Sequence, residues 1–241
     1  MLFRSEAGLD IARDVKFVAG HSLGEYSALA AAGSLTLADT ARLLRLRGEA
    51  MQKAVPAGQG AMAALLGLDY ETGVAIAAEA AQGEVCQIAN DNGGGQVVAS
   101  GSRAAVERAV EIAKAKGARR AIMLQVSAPF HCALMKPAAE AMAEALARVD
   151  FKAPRIPLVA NVLAEATSDP VEIRKRLVDQ VTGTVRWREC MLYMAHEGVN
   201  SFYEVGAGKV LSGLVKRIAE GATGTSIGQP ADIETFKARS V

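Results

Sequence analysis

The sequence predicts an α/β fold in which a mostly parallel sheet is covered by helices and a small subdomain is inserted into the chain. Short apolar segments alternate with longer amphipathic ones along most of the 241 residues, which favours parallel strands joined by helices. One stretch, residues 58–126, instead follows the order β-α-β-β-α-β of a ferredoxin-like unit. Hydrophobic residues make up 51% of the chain, enough for a sizeable buried core.

The elements before the inserted unit come in the order strand, helix, helix. Apolar residues at 15–19 predict a short buried strand, and the alanine-rich run at 23–32 predicts a helix. A longer amphipathic helix is predicted at 37–54, and it ends where Pro56 and the loop sequence PAGQG begin. Residues 1–57 and 127–241 together make up the predicted core.

The inserted unit is predicted to contain four short strands and two helices. Strands at 61–66 and 85–89 flank a helix at 70–81, and the sequence NDNGGG supplies turn residues before the next strand, at 96–99. Ser102 is placed to cap a helix that runs to residue 116. A strand at 121–126 completes the unit.

After the inserted unit, long helices and short strands alternate again. Pro137 suits the first turn of a helix that runs to residue 149. The remaining elements are predicted from apolar periodicity as strands at 156–160 and 201–205 and helices at 171–181, 188–196 and 210–219. The last twenty residues are polar and loosely patterned, so no element is predicted there.

Composition and charge exclude several classes of protein. A net charge of +1 provides no basic surface for nucleic acid. No apolar run is long enough to span a bilayer, and the opening MLFRSEAGLD lacks the apolar stretch of a signal peptide. Cys86, Cys132 and Cys190 are widely spaced without a CxxC pair, which argues against a disulfide framework or a zinc site. We therefore expect a soluble cytoplasmic protein with reduced thiols and no bound metal.

The sequence Gly20-His21-Ser22-Leu23-Gly24 matches the G-x-S-x-G pattern of a nucleophile elbow. It lies between a predicted strand and a predicted helix, which is the context that this motif requires. The flanking glycines are expected to leave room for a tight turn that exposes the Ser22 hydroxyl. The backbone N–H of Leu23 would then lie at a helix N-terminus, where it can stabilise an oxyanion. The alternative is a plain strand-to-helix turn with a capping serine.

A catalytic serine needs a base, and the chain has three histidines. His21 is adjacent to Ser22, and adjacent side chains on a sharp turn diverge. His196 falls in a helix beside Glu197, where a solvated histidine is the simpler interpretation. His131 lies in the loop sequence SAPFHCALMKP after a predicted strand, and sites of parallel sheets form in such loops. We therefore predict His131 as the base, with an ordinary surface histidine as the alternative.

No acidic residue occupies an obvious triad position. In α/β-hydrolases the order is Ser, then Asp or Glu, then His. Between Ser22 and His131 the acidic residues fall mostly in the inserted unit or on helix faces. The sequence therefore favours a Ser–His pair whose ring N–H is held by a backbone carbonyl.

Arg47 interrupts the apolar side of the helix predicted at 37–54. On a helical wheel Leu43 and Met51 belong to one arc, Arg45 and Glu49 belong to the opposite arc, and Arg47 falls in the middle of the apolar one. A buried guanidinium without a partner is costly. Arg47 therefore has either an internal acidic partner or a pocket in which it binds an anion. A charged hydrogen bond of about 1.5–3 kcal/mol would give a roughly 10- to 150-fold preference for an acyl group with a free carboxylate.

The chain resembles the malonyl-CoA:acyl carrier protein transacylase family of fatty-acid synthesis. The similarity runs from about Phe17 to Ile218 and includes the segments GHSLGEYSAL, LRGEAMQKAVPAGQGAMAALLGL, HCALMKPAA and FYEVGAGKVLSGLVKRI. It implies a hydrolase-like acyltransferase core, malonyl-CoA as substrate, acyl carrier protein as partner and no separate cofactor. It also implies a monomer and a ping-pong transfer through a malonyl ester.

The resemblance also implies roles for five residues. Ser22 is the nucleophile, His131 the base, and Arg47 the residue that binds the malonyl carboxylate. Leu23 supplies an oxyanion N–H, and Gln180, in VDQVTGTVRW, matches the position whose loop orients the histidine. For Gln180 the alternative is the frayed end of a helix.

In one respect the sequence departs from this family. The family opens with a strand and a Gly-Gln-Gly-Ser-Gln loop, whose glutamine gives a second oxyanion N–H, and this segment is absent from the sequence. Removing one oxyanion donor typically lowers the rate by about 10²–10³. The alternatives to malonyl transfer are therefore a catalytically impaired form that only docks a carrier protein, and a serine esterase or thioesterase. A preference for a carboxylate-bearing acyl group, set by Arg47, would distinguish a transferase from an esterase.

Overall fold

The computed structural model of the chain describes residue 8 and residues 10–239. Most of the opening segment, for which the sequence predicts no signal peptide, lies outside the described residues. The helices are α1 (Ile11–Asp14), α2 (Leu23–Ala31), α3 (Leu37–Lys53), α4 (Tyr70–Ala81), α5 (Arg103–Ala115), α6 (Lys136–Ala147), α7 (Pro170–Thr182), α8 (Trp187–His196), α9 (Val210–Ile218) and α10 (Pro230–Arg239). The strands are β1 (Gly60–Leu66), β2 (Cys86–Asp91), β3 (Gln96–Ser102), β4 (Arg120–Met123), β5 (Leu158–Val159), β6 (Ala166–Thr167), β7 (Ser201–Val205) and β8 (Thr223–Ile227).

The inserted unit forms a four-stranded antiparallel sheet in the order β2-β3-β1-β4. Helices α4 and α5 pack against it and against each other, and the apolar core between them includes Leu65, Ile76 and Val106. This strand order is the ferredoxin-like arrangement that the order β-α-β-β-α-β predicts. Ser102 lies at the N-cap of α5 as expected, although its side chain makes no capping hydrogen bond.

The rest of the chain packs helices around short strands. Helices α2, α3, α6 and α7 enclose an apolar cluster that includes Leu43, Met142 and Leu177. A second cluster forms around Trp187 in α8 and Leu214 in α9. No helix within residues 10–239 combines the length and the apolar character that crossing a bilayer would require.

Within the described residues, the parallel strand pairings of this core are short. Strands β7 and β8 pair in parallel along five positions. The segment 15–19, predicted as a strand, contributes a parallel bridge between Val18 and Leu158. Because the chain turns away at Gly20, the ladder does not extend beyond this bridge. The α/β class is therefore confirmed, whereas the mostly parallel sheet is reduced to these pairings in residues 10–239.

Several element boundaries differ from the predicted ones. Strand β4 ends at Met123 rather than 126, and β5 covers Leu158–Val159 rather than 156–160 because it is limited by its two-residue partner β6. The prediction of no element in the last twenty residues is wrong, since β8 and α10 lie there. Strand β8 has the polar sequence TGTSI and is held by its pairing with β7 rather than by an apolar pattern of its own.

The inserted unit is joined to the core beside the site. Asn90 forms a parallel bridge with Val185, and Asp91 forms an ion pair with Arg188 of α8 at 2.7 Å. A register shift in β2 lies between Ile88 and Asn90, and Asn90 and Asp91 beyond it still pair with β3 while they contact the core. This contact places the turn after β2 next to the Gly20–Gly24 segment.

Candidate active site

The turn at Gly20–Gly24 is a strained junction between the Val18 bridge and helix α2. Ser22 has φ of 51° and ψ of −101°, and its side chain makes no capping hydrogen bond to the helix. A Cβ atom on Gly20 would lie 2.0 Å from the carbonyl carbon of Gly24, whereas one on Gly24 would meet nothing within 4 Å. The expectation that both glycines make room is therefore correct for Gly20 and wrong for Gly24, because the Gly24 backbone is what occupies the space.

The hydroxyl of Ser22 faces the imidazole of His131. The distance from Ser22 Oγ to His131 Nε2 is 2.8 Å, and the other ring nitrogen, Nδ1, lies 2.8 Å from the backbone carbonyl oxygen of Gln180. A carbonyl only accepts, so Nδ1 carries the proton and Nε2 is left as an acceptor for the serine hydroxyl. The structure thus brings together the predicted pair, with a backbone carbonyl where a triad would have a carboxylate.

His131 is buried and held in an uncommon conformation, with φ of 58°. Burial, together with the positive charge of Arg47, lowers the pKa of His131 to about 3. The imidazole is therefore neutral near neutral pH. A neutral Nε2 beside a hydroxyl is the state that a general base needs before the reaction.

Arg47 lies on the inner side of α3, with 6% of its surface exposed. Its Nη2 donates to Ser22 Oγ and to the side-chain Oε1 of Gln180, each at 2.9 Å. The adjacent Nε is buried and has no hydrogen-bond partner in the described structure. The guanidinium also lies over the ring of Tyr26, 5.9 Å from its centroid. Arg47 Nε is thus a buried donor without a partner, on the same guanidinium whose Nη2 contacts the nucleophile.

Leu23 is the first residue of α2, so its N–H lies in the turn where helical donors have no partner within the helix. It directly follows Ser22, as the nucleophile-elbow pattern requires. The aligned peptide dipoles of α2 give its N-terminus a partial positive charge, which strengthens this donor. At this position the N–H is suited to donate to the oxyanion that forms when Ser22 attacks a carbonyl.

The other two histidines lie where the sequence placed them. His21 points away from Ser22 into the contact with the inserted unit, where its Nε2 is 2.9 Å from Asn92 Oδ1. Its ring centroid is 5.5 Å from that of Trp187. His196 ends α8 with 89% of its side chain exposed. Neither ring is in the Ser22 hydrogen-bond network.

Two buried polar residues of the site were missed by the sequence reasoning. Glu25, in the first turn of α2, accepts a hydrogen bond from the backbone N–H of Asn161 at 2.7 Å and another from Gln180 Nε2. Asn161 follows β5, and its Oδ1 accepts the backbone N–H of Ser22 at 2.7 Å. Asn161 comes directly after the predicted strand 156–160, where site residues concentrate. Glu25 has the position of an ordinary first-turn acid, and only its burial in the structure sets it apart.

Comparison with known proteins supports what the geometry indicates. The acyl transferase domain model matches residues 12–230. The chain belongs to the acyl transferase family. As an acyl transferase it is 50% identical over 214 residues to the malonyl CoA-acyl carrier protein transacylase of Escherichia coli K12, an alignment that covers 89% of this chain and 69% of that protein. The protein of the same name from Bacillus subtilis is 47% identical over 219 residues, covering 90% and 69%.

Solved structures give the same result for the fold of this acyl transferase. The acyl-carrier-protein-S-malonyltransferase of Bartonella henselae superimposes with a TM-score of 0.95 at 53% identity, covering all of this chain and 77% of that one. A malonyl-transacylase in complex with a type II polyketide acyl-carrier protein gives a TM-score of 0.91 at 43% identity, covering 93% and 72%. The family resemblance drawn from the motifs is thereby confirmed.

The arrangement in this acyl transferase supports nucleophilic attack on a carbonyl group. The arrangement suits Ser22 as the attacking oxygen, His131 as the acceptor of its proton, and the N–H of Leu23 as a donor to the developing negative charge. Arg47 adds a fixed positive charge close to the same oxygen. A serine nucleophile, a neutral base and a buried guanidinium together fit an acyl group that carries its own carboxylate.

Proposed function

We propose that this chain transfers a malonyl group from malonyl-CoA to the phosphopantetheine thiol of an acyl carrier protein, and so supplies fatty-acid synthesis. The observation that carries the proposal is the convergence on one atom. Ser22 Oγ is 2.8 Å from the base nitrogen of His131 and 2.9 Å from Nη2 of Arg47. The names of the relatives and their identity to this chain support the same substrate and the same carrier.

The first half of the reaction forms an ester on Ser22. His131 Nε2 takes the hydroxyl proton while Ser22 Oγ bonds to the thioester carbonyl carbon, and the resulting oxyanion is stabilised by the N–H of Leu23. The carbon–sulfur bond then breaks, and the coenzyme A thiolate leaves with the proton from His131. The product of this half is a malonyl ester of Ser22 and free coenzyme A.

The second half repeats these steps with a new thiol. His131 takes the proton of the phosphopantetheine thiol, whose sulfur attacks the ester carbonyl. The Ser22–acyl bond breaks, and the proton returns through His131 to Ser22 Oγ. Each half begins and ends with neutral His131, in agreement with the lowered pKa of this ring.

Arg47 is the proposed determinant of acyl-group choice. Its unpartnered Nε, and its Nη2 once that group exchanges one of its two present acceptors for the ligand, can donate side by side to the two oxygens of the malonyl carboxylate. A charged hydrogen bond of about 1.5–3 kcal/mol corresponds to a roughly 10- to 150-fold preference over an acetyl group. Gln180 contributes twice, since its backbone carbonyl holds His131 and its side chain holds Arg47.

Mass spectrometry of the acylated protein tests this function. Wild type incubated with malonyl-CoA is expected to gain one malonyl group on Ser22 and to lose it when a holo acyl carrier protein is added. Ser22→Ala is expected to gain none. Arg47→Ala is expected to lose about 10-fold or more in malonyl acylation while acetyl acylation is retained, and Arg45→Ala, an exposed arginine of the same helix, serves as the control.

A thioesterase would give a different outcome. The Ser22–His131 pair alone is equally suited to hydrolysis. Release of free malonate without a carrier thiol, at a rate that Arg47→Ala does not change, would contradict the transfer function. The cytoplasm as compartment and a monomer as the working state remain predictions from the sequence, and sedimentation of the purified chain tests the second.

A further inference from the structure

One buried carboxylate in α2 lies close to the nucleophile in the chain. The proposed transfer steps do not use it. Glu25 is the third residue of α2, and 1% of its surface is exposed. Acidic residues in the first turn of a helix are common, but they are usually solvated. A fully buried carboxylate needs partners for both oxygens.

The two oxygens of Glu25 accept hydrogen bonds from two different segments of the core. Oε1 accepts the backbone N–H of Asn161, which follows β5, at 2.7 Å. Oε2 accepts from the side-chain Nε2 of Gln180 near the end of α7. The carboxylate therefore links α2 to Asn161 and Gln180, whose side chains both bond to the Ser22 backbone.

The bond to Gln180 determines which way the Gln180 amide faces. Its Nε2 also donates to the backbone carbonyl oxygen of Ser22 at 3.1 Å, so its Oε1 is turned to Arg47 Nη2, 2.9 Å away. A flipped amide would put its NH₂ group against the guanidinium, and two donors would then face each other. The orientation of Arg47 thus depends on Gln180, and that of Gln180 on Glu25.

The network around Glu25 offers an N–H donor to each carboxylate oxygen. Burial raises the pKa of Glu25 to about 8, although these donors and the charge of Arg47 oppose that rise. Both oxygens face N–H groups, and such donors favour the carboxylate over the protonated acid. Arg47 has no direct carboxylate partner within the described residues. Burial lowers the pKa of Arg47, and the nearby Tyr26 and Glu25 oppose that lowering.

We propose that Glu25 is a positioning residue, which fixes the Gln180 amide and through it holds the Arg47 guanidinium ready for the acyl carboxylate. The proposal rests on the function proposed above, since it concerns the choice between malonyl and acetyl groups. Glu25 contacts neither substrate nor the reacting atoms. Its removal is therefore expected to change acyl-group preference before it changes the reactivity of Ser22.

The variant Glu25→Gln tests this because an amide has one oxygen where the carboxylate has two. Either Asn161 N–H or Gln180 Nε2 must then face an NH₂ group. In the second case the Gln180 amide keeps only its bond to the Ser22 carbonyl and a contact of 3.4 Å to Asn161 Oδ1, so its orientation is less firmly held. We expect the ratio of malonyl to acetyl acylation of Ser22 to fall about 10-fold. Labelling of Ser22 by a fluorophosphonate, which reports the Ser22–His131 pair without an acyl carboxylate, is expected to stay within about 2-fold of wild type. Glu49→Gln on the exposed side of α3 is the matched control, with the ratio unchanged.

A double-mutant cycle with Gln180→Ala identifies the route of the effect. If Glu25 acts through the Gln180 amide, adding Glu25→Gln to Gln180→Ala lowers the ratio no further. Losses that multiply would overturn the proposal, and so would parallel losses of malonyl acylation and fluorophosphonate labelling, which indicate a merely structural role. Glu25→Asp, which keeps the charge but shortens the reach, provides the same comparison if Glu25→Gln does not fold. Absence of malonyl acylation in wild type would instead refute the proposed function.

Discussion

Two glycines of the same turn, Gly20 and Gly24, differ sharply in the space around them. A Cβ on Gly20 would overlap the backbone of Gly24, which cannot move without moving α2. We expect Gly20→Ala to lower the free energy of unfolding by about 4 kcal/mol or more. Gly24→Ala meets open space inside a helix, so we expect it to change stability by about 1 kcal/mol at most, in the stabilising direction. Urea unfolding of the two variants makes the comparison, and equal losses would contradict it.

The sequence was informative for site residues that a single segment identifies. Ser22 lies in a fixed motif between a predicted strand and a predicted helix. Arg47 is a charged residue on the apolar side of a predicted helix. Asn161 could not be recognised in this way, because its role comes from a contact with Ser22 across the core. Glu25 follows the motif by one residue, but an acid in a first helical turn is ordinary, and only its burial sets it apart.

At the scale of elements, two helix N-cap side chains differ in role. One caps its helix and the other faces the candidate base. Thr36 at the N-cap of α3 accepts the backbone N–H of Asp39 at 3.0 Å, whereas Ser22 at the N-cap of α2 makes no such bond and its hydroxyl faces His131. We expect Thr36→Ala to lower the free energy of unfolding by about 1 kcal/mol while Ser22 acylation is retained. Thr36→Ser keeps the acceptor and is expected to stay close to wild type in thermal unfolding. A similar loss in both variants would show that the cap bond is not the cause.

Helices were predicted more faithfully than strands, for a physical reason. The helix at 70–81 has the predicted bounds and the other predicted helices differ by a few residues, because a 3.6-residue apolar pattern lies within the segment itself. The short α1 and the polar α10 were not predicted. A strand is completed by its neighbour. The segment 15–19 has the composition of a strand but forms one bridge, and the polar β8 is a strand because β7 pairs with it.

At the scale of the whole molecule, the β-α-β-β-α-β order was sufficient to predict the arrangement of the inserted unit but not its attachment. The attachment depends on single contacts between distant segments, such as the bridge of Asn90 with Val185 and the bond of His21 with Asn92. These contacts bring the inserted unit next to the nucleophile turn. Neither segment contains a sequence pattern that predicts these contacts, because they form only when the two complete cores pack together.

The stability of the folded molecule in acid depends in part on the buried His131. The pKa of His131 is lowered from 6.5 to about 3 by burial first and by Arg47 second. Between these two values the unfolded chain binds a proton at this ring that the folded protein does not, so this group makes the folded state less stable as pH falls through that range. The slope from one such group is at most about 1.4 kcal/mol per pH unit. Burial lowers the pKa of His21 in the same direction, so the contribution of His131 is obtained from a difference between variants.

The variant His131→Gln removes this contribution. Relative to wild type, we expect its free energy of unfolding to rise as pH falls from 6.5 towards 3, and to show no such trend above pH 6.5. Urea unfolding at half-unit intervals of pH measures the difference. Because His131 stays neutral in the folded protein, wild-type acylation of Ser22 by malonyl-CoA is also expected to show no midpoint near pH 6.5. A loss of acylation centred there, in protein that remains folded, would mean that the ring takes up a proton as an exposed histidine does, and that neither its burial nor Arg47 keeps it neutral.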